Sequence, residues 1–278
     1  MLKANTEDAT SGYWEPHTSS IDFCETNYLH SNYIAEVHNV WSSIIGLSAM
    51  GLFGLFKGNP TNETRYTMFY LSLILIGIGS ACLHGTMHWV YQSADELPML
   101  YMVICFCYCI YECESPKGEA ANPRLPALMV CLAVVNTIIY YMFQQFYLVF
   151  LATFSTFTLV TTYGIAKLLF FREGRGPAAK RIFWTGEAAF MGISFPLWIF
   201  DMLACHRVLS VAENEAIMPW WALGITPHVI WHCGSGFAAY CLGLANSCCR
   251  LEVLGIPYDV SYLGGVLPIV RTREGEEE

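Results

Sequence analysis

Two pairs of histidines are spaced so that they can act together on a metal ion. His84 and His88 form one pair, and His228 and His232 form the other. Residues i and i+4 lie on one face of a helix, so each pair can converge on a point. One such pair is also typical of histidines hydrogen-bonded to a neighbouring helix. Two pairs favour zinc, whose catalytic sites have three protein ligands and one open position.

The spacing does not decide which histidine of the first pair is the third ligand. Ser80 lies one turn before His84 on the same face, whereas His88 lies nearer the end of the hydrophobic run and can be solvated. Asp95 follows shortly after, and a carboxylate beside a zinc-activated water can serve as general base. The alternative for Asp95 is a carboxylate at a helix start near Pro98, and we interpret the adjacent Glu96 in this structural way.

A second polar cluster lies near the N-terminus. Asp22, Glu25, Asn27 and Glu36 supply hard oxygen ligands of the kind that calcium prefers, although the glycine and spacing of an EF-hand loop are missing. Taken alone, the pattern is more typical of a solvated acidic loop.

The elements that carry these residues are predicted to be transmembrane helices. The chain has 55% hydrophobic and 13% charged residues, against about a quarter charged in soluble domains. A helix needs about 20 apolar residues to cross the hydrocarbon. A seventh candidate span, Ile182–Cys205, is interrupted by Glu187 and Asp201. Six runs have no Asp, Glu, Lys or Arg: Asn39–Phe56, Tyr66–Leu83, Leu97–Tyr111, Leu125–Phe143, Phe146–Ala166 and Ile217–Gly243. We therefore predict an all-α bundle of seven transmembrane helices rather than a soluble protein.

The basic residues orient this bundle. With the N-terminus in the lumen, all of the 14 Lys and Arg residues except Lys3 and Arg207 lie on the cytosolic side, as the positive-inside rule requires. This predicts a luminal segment 1–35 with the acidic cluster, a seven-helix catalytic domain 36–246 and a cytosolic tail 247–278. It also predicts an unglycosylated Asn62. The first eleven residues are polar and acidic and lead to no small-residue cleavage site, so we expect no removable signal peptide. The net charge of −9 does not favour nucleic acid as a partner.

The cysteines add two open questions. Cys24 and Cys205 both fall on the oxidising luminal side, where a disulfide is plausible from placement alone. Cys248 and Cys249 at the cytosolic end could carry palmitate or could equally be unmodified.

Four separated motifs, in this order, resemble those of the alkaline ceramidases over residues 12 to about 268. These are Gly12-Tyr13-Trp14 with Ser20 to Tyr28 and Tyr33 to Glu36, Gly79 to His84 with Asp95 to Met99, His228-Val-Ile-Trp-His232, and Tyr262 to Pro268. One departure is visible, because that family often has Trp where Phe23 stands. A residue that contributes only its carbonyl tolerates this change.

The resemblance implies a specific site. Zinc would be held by His84, His228 and His232, with Asp95 activating the zinc-bound water and Ser80 stabilising the oxyanion. Calcium would be held by Asp22, Glu25, Asn27 and Glu36 with the carbonyl of Phe23, and Cys24 would pair with Cys205. The implied reaction is hydrolysis of the amide bond of ceramide, dihydroceramide or phytoceramide to a sphingoid base and a fatty acid, in the endoplasmic reticulum or Golgi membrane.

Two alternatives remain at this stage. One is a seven-helix lipid-sensing receptor resembling the progestin and adipoQ receptors, and the other is a zinc-dependent remodelling factor for lipid-anchored proteins. The acidic N-terminal cluster and the luminal N-terminus favour the enzyme over the receptor, whose group is inverted in the membrane. The sphingoid-base and acyl-chain preference, the choice between the two organelles and the oligomeric state are left open by the sequence.

Overall fold

The computed structural model describes residues 12–203 and 223–273. Helices dominate both parts. We label them α1 to α7 in chain order: Val37–Lys57, Thr64–Thr86, Trp89–Tyr111, Leu125–Phe143, Tyr147–Phe171, Pro177–Leu203 and Pro227–Leu254. Two antiparallel strands follow, β1 at Tyr258–Leu263 and β2 at Leu267–Thr272. The sequence analysis predicted helices alone, so this hairpin corrects the all-α expectation in the tail. Gly264 and Gly265, both at positive φ, form its turn.

Six of the helices, α1 to α6, are long and apolar enough to cross a membrane. The seventh, α7, has 28 residues and is therefore about 42 Å long. Most of α7 is buried, and it packs against α1, α6 and α2. Because its neighbours shield it, α7 can carry histidines, serines, Asn246 and Arg250 that lipid-facing helices avoid.

Several boundaries differ from those predicted. The third helix begins at Trp89, eight residues before the charge-free run, so Asp95 lies inside α3 and not before it. The last long helix begins at Pro227, where Thr226 caps it by accepting a hydrogen bond from the Val229 N–H at 3.2 Å. At its other end α7 continues past residue 246 to Leu254. Cys248 and Cys249 are therefore fully buried within a helix.

Two helices contain a wider turn. Residues Ser43–Ser48 of α1 and Phe190–Ser194 of α6 are π-helical, a departure that is frequent at functional sites. The first of these turns lies against α7 where two glycines meet. A Cβ on Gly236 would lie 1.9 Å from the Gly46 carbonyl oxygen, so the absence of side chains lets the two backbones touch.

A third glycine sets the contact between α2 and α3. These helices are joined through Met87, in the left-handed region, and His88, so they run antiparallel. A Cβ on Gly79 would lie 2.0 Å from the Ala94 carbonyl oxygen. This close approach brings the neighbouring Ser80 and Asp95 to the wall of the same cavity.

Candidate active site

Three histidines from two helices converge at one end of the bundle. His84 lies in the last turn of α2, while His228 and His232 lie in the first two turns of α7. All three are buried, and their ligand nitrogens lie within 4.8 Å of one another. In the part of the chain that the structure describes, they alone form a group of this kind. The site is thus a buried three-histidine group that can hold a metal ion.

Each histidine has an oxygen beside its Nδ1 atom. His84 Nδ1 lies 2.5 Å from a carboxylate oxygen of Glu36, and His232 Nδ1 lies 2.8 Å from the hydroxyl of Ser42. His228 Nδ1 lies 3.3 Å from the carboxylate of Asp201. The His228 contact lies within ion-pair distance but does not have hydrogen-bond geometry. A hydrogen-bonded oxygen at Nδ1 fixes the tautomer and directs the other ring nitrogen toward a metal, as at His84 and His232. In agreement with this, His84 Nε2 is buried and has no hydrogen-bond partner among the described residues. The donor set fits a metal ion.

Ser80 and Asp95 lie beside this group. Ser80 Oγ is 3.2 Å from His232 Nε2 and 3.0 Å from Ser43 Oγ, whose hydroxyl also contacts the Asn39 carbonyl at 2.7 Å. Asp95 lines the same cavity as Ser80, His228 and His232. The Asp95 carboxylate makes no hydrogen bond to any residue that the structure describes. It is therefore available to a substrate or a water molecule.

The cavity itself is apolar. Away from the histidines the walls are mainly aliphatic and aromatic, among them Leu73, Phe106, Phe150, Phe154 and Trp198. A long hydrocarbon chain matches these walls better than a polar metabolite does.

Glu96, beside Asp95 in sequence, has a different environment. Its two carboxylate oxygens accept hydrogen bonds from Gln92 Nε2 at 2.9 Å and from the Tyr140 hydroxyl at 2.6 Å. The bond from Tyr140 connects α4 to α3. The sequence interpretation placed Glu96 at a helix start, whereas the helix begins at Trp89 and Glu96 lies in its interior.

The N-terminal segment covers the histidines. The ring of Phe23 packs 4.6 Å from that of His84 and 4.2 Å from that of His228. Glu25 accepts hydrogen bonds from the backbone N–H groups of His38 and Asn39, both at 2.8 Å, and so caps α1. Burial raises the pKa of the Glu25 carboxyl to about 7.

Glu36 connects the acidic cluster to the histidines. One of its oxygens contacts His84 and Asn39, while Oε1 is buried without a hydrogen-bond partner in residues 12–203 and 223–273. Burial first, and then the nearby carboxylates of Asp22 and Glu25, raise the pKa of Glu36 well above its ordinary value. The carboxylates of Asp22, Glu25 and Glu36 do not converge as closely as the histidine nitrogens do. Asn27 donates to Asp22 Oδ1 at 3.0 Å.

One other predicted residue, His88, lies apart from the site. His88 is not in the histidine group, because its Nε2 lies 2.6 Å from the backbone oxygen of Trp14. Cys205 lies outside the described residues, so its pairing with Cys24 stays a prediction. Cys24 itself packs at the end of α6, where its N–H donates to Asp201 at 3.4 Å.

Sequence reasoning missed three residues that contact the histidines. Asp201 was visible as one of two acids interrupting the candidate span Ile182–Cys205, and an ionisable residue inside a span is a signal of function. Ser42 and Ser43 gave no signal, since serines are common in transmembrane helices and their contact with His232 depends on the π-helical turn in α1.

A buried histidine group beside a carboxylate, at the end of an apolar cavity in a membrane bundle, is typical of an intramembrane metallohydrolase. Comparison with known proteins narrows this class. The family model described as Ceramidase matches residues 15–266. The chain belongs to the ceramidase family and is an enzyme of that class.

Curated relatives agree over nearly the whole length. Alkaline ceramidase 3 of Mus musculus is 30% identical over 93% of this chain and 94% of its own. Alkaline ceramidase of Arabidopsis thaliana is 28% identical over 95% and 96%. Alkaline ceramidase YPC1 of Saccharomyces cerevisiae is 28% identical over 84% and 77%. These matches favour the enzyme over the receptor alternative.

Proposed function

We propose that this protein hydrolyses the amide bond of ceramides within the membrane, giving a sphingoid base and a free fatty acid. The observation that carries the proposal is the opening of the buried histidine group onto an apolar cavity whose wall also contains Asp95 and Ser80. An amide with two long chains fits this combination, since the chains stay in apolar surroundings while the amide reaches polar groups.

His84, His228 and His232 are proposed to hold zinc. Three neutral nitrogen donors with one position left open are the usual protein contribution to a catalytic zinc site. Glu36, Asp201 and Ser42 would keep the three Nδ1 atoms protonated, so that each Nε2 lone pair faces the metal. The bound ion would supply Lewis-acid chemistry, acidifying water and polarising a carbonyl group.

The remaining chemistry is assigned to two side chains. Asp95 would accept the proton of the attacking water and pass it to the nitrogen of the departing sphingoid base. Ser80, held at 3.0 Å by Ser43, would donate its hydroxyl hydrogen to the carbonyl oxygen as negative charge develops there. The close contact at Gly79 holds α2 against α3 beside Ser80 and Asp95. The two side chains would therefore already be positioned for this chemistry.

The same proposal includes a topology. All seven helices would cross the membrane, with the N-terminus in the lumen of the endoplasmic reticulum or Golgi and the hairpin in the cytosol. Cys24 packs against Asp201 at the end of α6, and Cys205 follows Asp201 by four positions in sequence, which supports a luminal disulfide between the two cysteines.

Calcium is proposed as a second, structural ion beside Glu36. Its support is the buried Oε1 atom of Glu36 and the crowding of Asp22 and Glu25 around it, which a cation would relieve. The carboxylates would have to draw closer on binding.

We expect Asp22→Asn to abolish a calcium-induced rise in thermal stability and to leave zinc content unchanged. Equal stabilisation of both proteins by calcium would contradict this assignment.

The central test is fatty-acid release from ceramide by purified protein, with metal analysis of the same sample. Native protein should release the acid and the base in equal amounts and contain one zinc per chain. Asp95→Asn should retain the zinc and lose turnover by roughly 10²–10⁴-fold. A protein that binds ceramide without releasing products would be a receptor, and the proposal would fail.

A further inference from the structure

The far part of the cavity contains a polar patch that hydrolysis does not require. Thr158, Thr161 and Thr162 of α5 line the cavity, one to two turns beyond the apolar Phe154. Hydroxyl groups are costly in such surroundings unless they are hydrogen-bonded. Their partners therefore indicate whether they serve the helix or the contents of the cavity.

Most threonines of α5 have a partner in the protein. Thr153 Oγ donates to the Val149 carbonyl at 2.8 Å, and Thr156 Oγ donates to the Ala152 carbonyl at 2.7 Å. This bond to the preceding turn is how helices usually satisfy a threonine. Thr161 donates to the Thr158 carbonyl at 2.8 Å, and Thr162 donates to Glu187 Oε1 at 3.1 Å.

Thr158 is the exception in this helix. Its Oγ atom is buried and makes no hydrogen bond to any residue that the structure describes. Unlike Thr156, which is exposed on the outer face of the bundle, Thr158 lies at the cavity wall. Its hydroxyl is thus left for whatever fills the cavity.

The depth of Thr158 indicates which part of a substrate it meets. Both α3 and α5 begin at the end of the bundle that holds the histidines, because Gln144 just before α5 bonds to Trp89 and Ser93. At 1.5 Å per residue, Thr158 lies about 16 Å along α5 and Asp95 lies about 9 Å along α3. An extended chain advances roughly 1.2 Å per bond. Thr158 therefore faces chain atoms about six bonds beyond the amide.

We propose that Thr158 is a specificity residue that selects ceramides carrying a hydrogen-bond acceptor near the middle of a chain. This inference rests on the proposed hydrolysis. A chain hydroxyl would accept a full hydrogen bond from Thr158, and a cis double bond would accept a weaker one through its π electrons. A saturated chain would leave the hydroxyl unsatisfied and so would bind less favourably.

The test compares kcat/KM for ceramides of equal chain length that are saturated, hydroxylated at mid-chain, unsaturated at mid-chain, or hydroxylated at the chain end. Native protein should prefer the mid-chain hydroxyl. In Thr158→Val, which keeps the shape and removes the hydroxyl, that preference over the saturated chain should fall roughly fivefold. In the same variant, the preference for the mid-chain double bond over the saturated chain should fall less. The kcat/KM ratio of the chain-end hydroxylated ceramide to the saturated ceramide should not change.

Two matched variants separate specificity from structure. Thr158→Ser keeps the hydroxyl and should keep the native preference, while Thr156→Val removes a back-bonded hydroxyl on the outer face and should change no ratio. Hydrolysis of the saturated ceramide by all variants shows that the proposed function holds. An unchanged ratio in Thr158→Val, with that hydrolysis intact, would overturn the inference. Absence of hydrolysis by native protein would instead overturn the function.

Discussion

The two ends of the bundle both bury polar and charged groups, but these groups have different surroundings. At the end opposite the histidines, Arg250 of α7 is fully buried. Its Nε donates to Glu63 at 2.8 Å, and its other nitrogens donate to the backbone oxygens of Cys113, Ser115 and Pro116. Arg65 shares Glu63 and donates to the Glu112 oxygen at 2.6 Å, leaving its Nε unpartnered among the described residues.

At the histidine end, the buried atoms that have no hydrogen-bond partner belong to the candidate active site. His84 Nε2 and Glu36 Oε1 are both buried without a hydrogen-bond partner in the described chain. A buried polar atom without a hydrogen-bond partner costs stability. A protein retains such an atom where an ion or a substrate supplies the missing contact. We therefore expect the arginine end to stabilise the bundle and the histidine end to bind the ion and the substrate. Each prediction below separates these two roles.

The largest expected effect is the loss of the metal. His232→Ala should reduce bound zinc from one per chain to near zero and abolish amide hydrolysis, because two histidines do not complete the site. His88→Ala is the matched control, since His88 contacts the Trp14 backbone instead. It should keep zinc and turnover, as measured by metal analysis and product release. Loss of zinc in the control would mean that the histidine group has been assigned wrongly.

Removal of Arg250 should affect stability without affecting chemistry. Arg250→Met leaves three carbonyls and part of the Glu63 carboxylate without their donor, which costs about 3–5 kcal/mol. A melting temperature lower by about 10 °C should result. Zinc per folded chain and kcat of the folded fraction should match native protein. Arg271→Met, at an exposed position of β2, should melt like native protein. A fall in kcat with unchanged melting would reverse the roles of the two ends.

Much of this arrangement could be predicted from the sequence. Hydropathy predicted six of the spans because lipid-facing helices must be apolar on their outer surface. The same reasoning was least reliable for the buried α7, whose start at Pro227 was placed ten residues too early. The histidine spacing indicated a metal site, and the family resemblance selected His84 over His88, in agreement with the group that the structure forms.

The remaining features depend on contacts between helices. Ser42 reaches His232 because a π-helical turn and the Gly46–Gly236 contact set the rotation and distance of α1 against α7. No local pattern encodes that rotation. Asp95 was placed before its helix because the charge-free run begins after it. The hairpin was missed because short strands have weak sequence signals beside strongly apolar helices.

A tight contact between helices offers an intermediate test. Gly79→Ala introduces a Cβ that would lie 2.0 Å from the Ala94 backbone oxygen, so α2 and α3 must separate, at a cost of about 1–3 kcal/mol. Displacement of Asp95 from Ser80 should lower kcat about 100-fold while zinc is retained. Gly85→Ala on the same helix meets a side chain at an ordinary 3.9 Å and should leave kcat unchanged. Equal kcat in both variants would show that the Gly79 contact does not position Asp95.

The smallest expected effect is that of Ser42, which acts on the metal through His232. Ser42 Oγ donates to the Asn39 carbonyl at 3.1 Å, so it accepts the Nδ1–H of His232 at 2.8 Å and leaves Nε2 free to bind metal. Ser42→Ala should weaken zinc affinity about tenfold, near the lower limit for such partners, because Ser43 Oγ at 3.4 Å can replace it in part. Titration against a competing chelator measures this, and kcat with saturating zinc should stay native. Ser48→Ala, whose hydroxyl bonds to the Ile74 carbonyl, should keep native affinity.

Replacing Ser42 and Ser43 together should weaken zinc binding by more than the product of the single effects, since neither can then substitute for the other. If the double variant binds zinc like native protein, the tautomer of His232 is set without these serines, and the histidine end is more rigid than its contacts with α1 suggest.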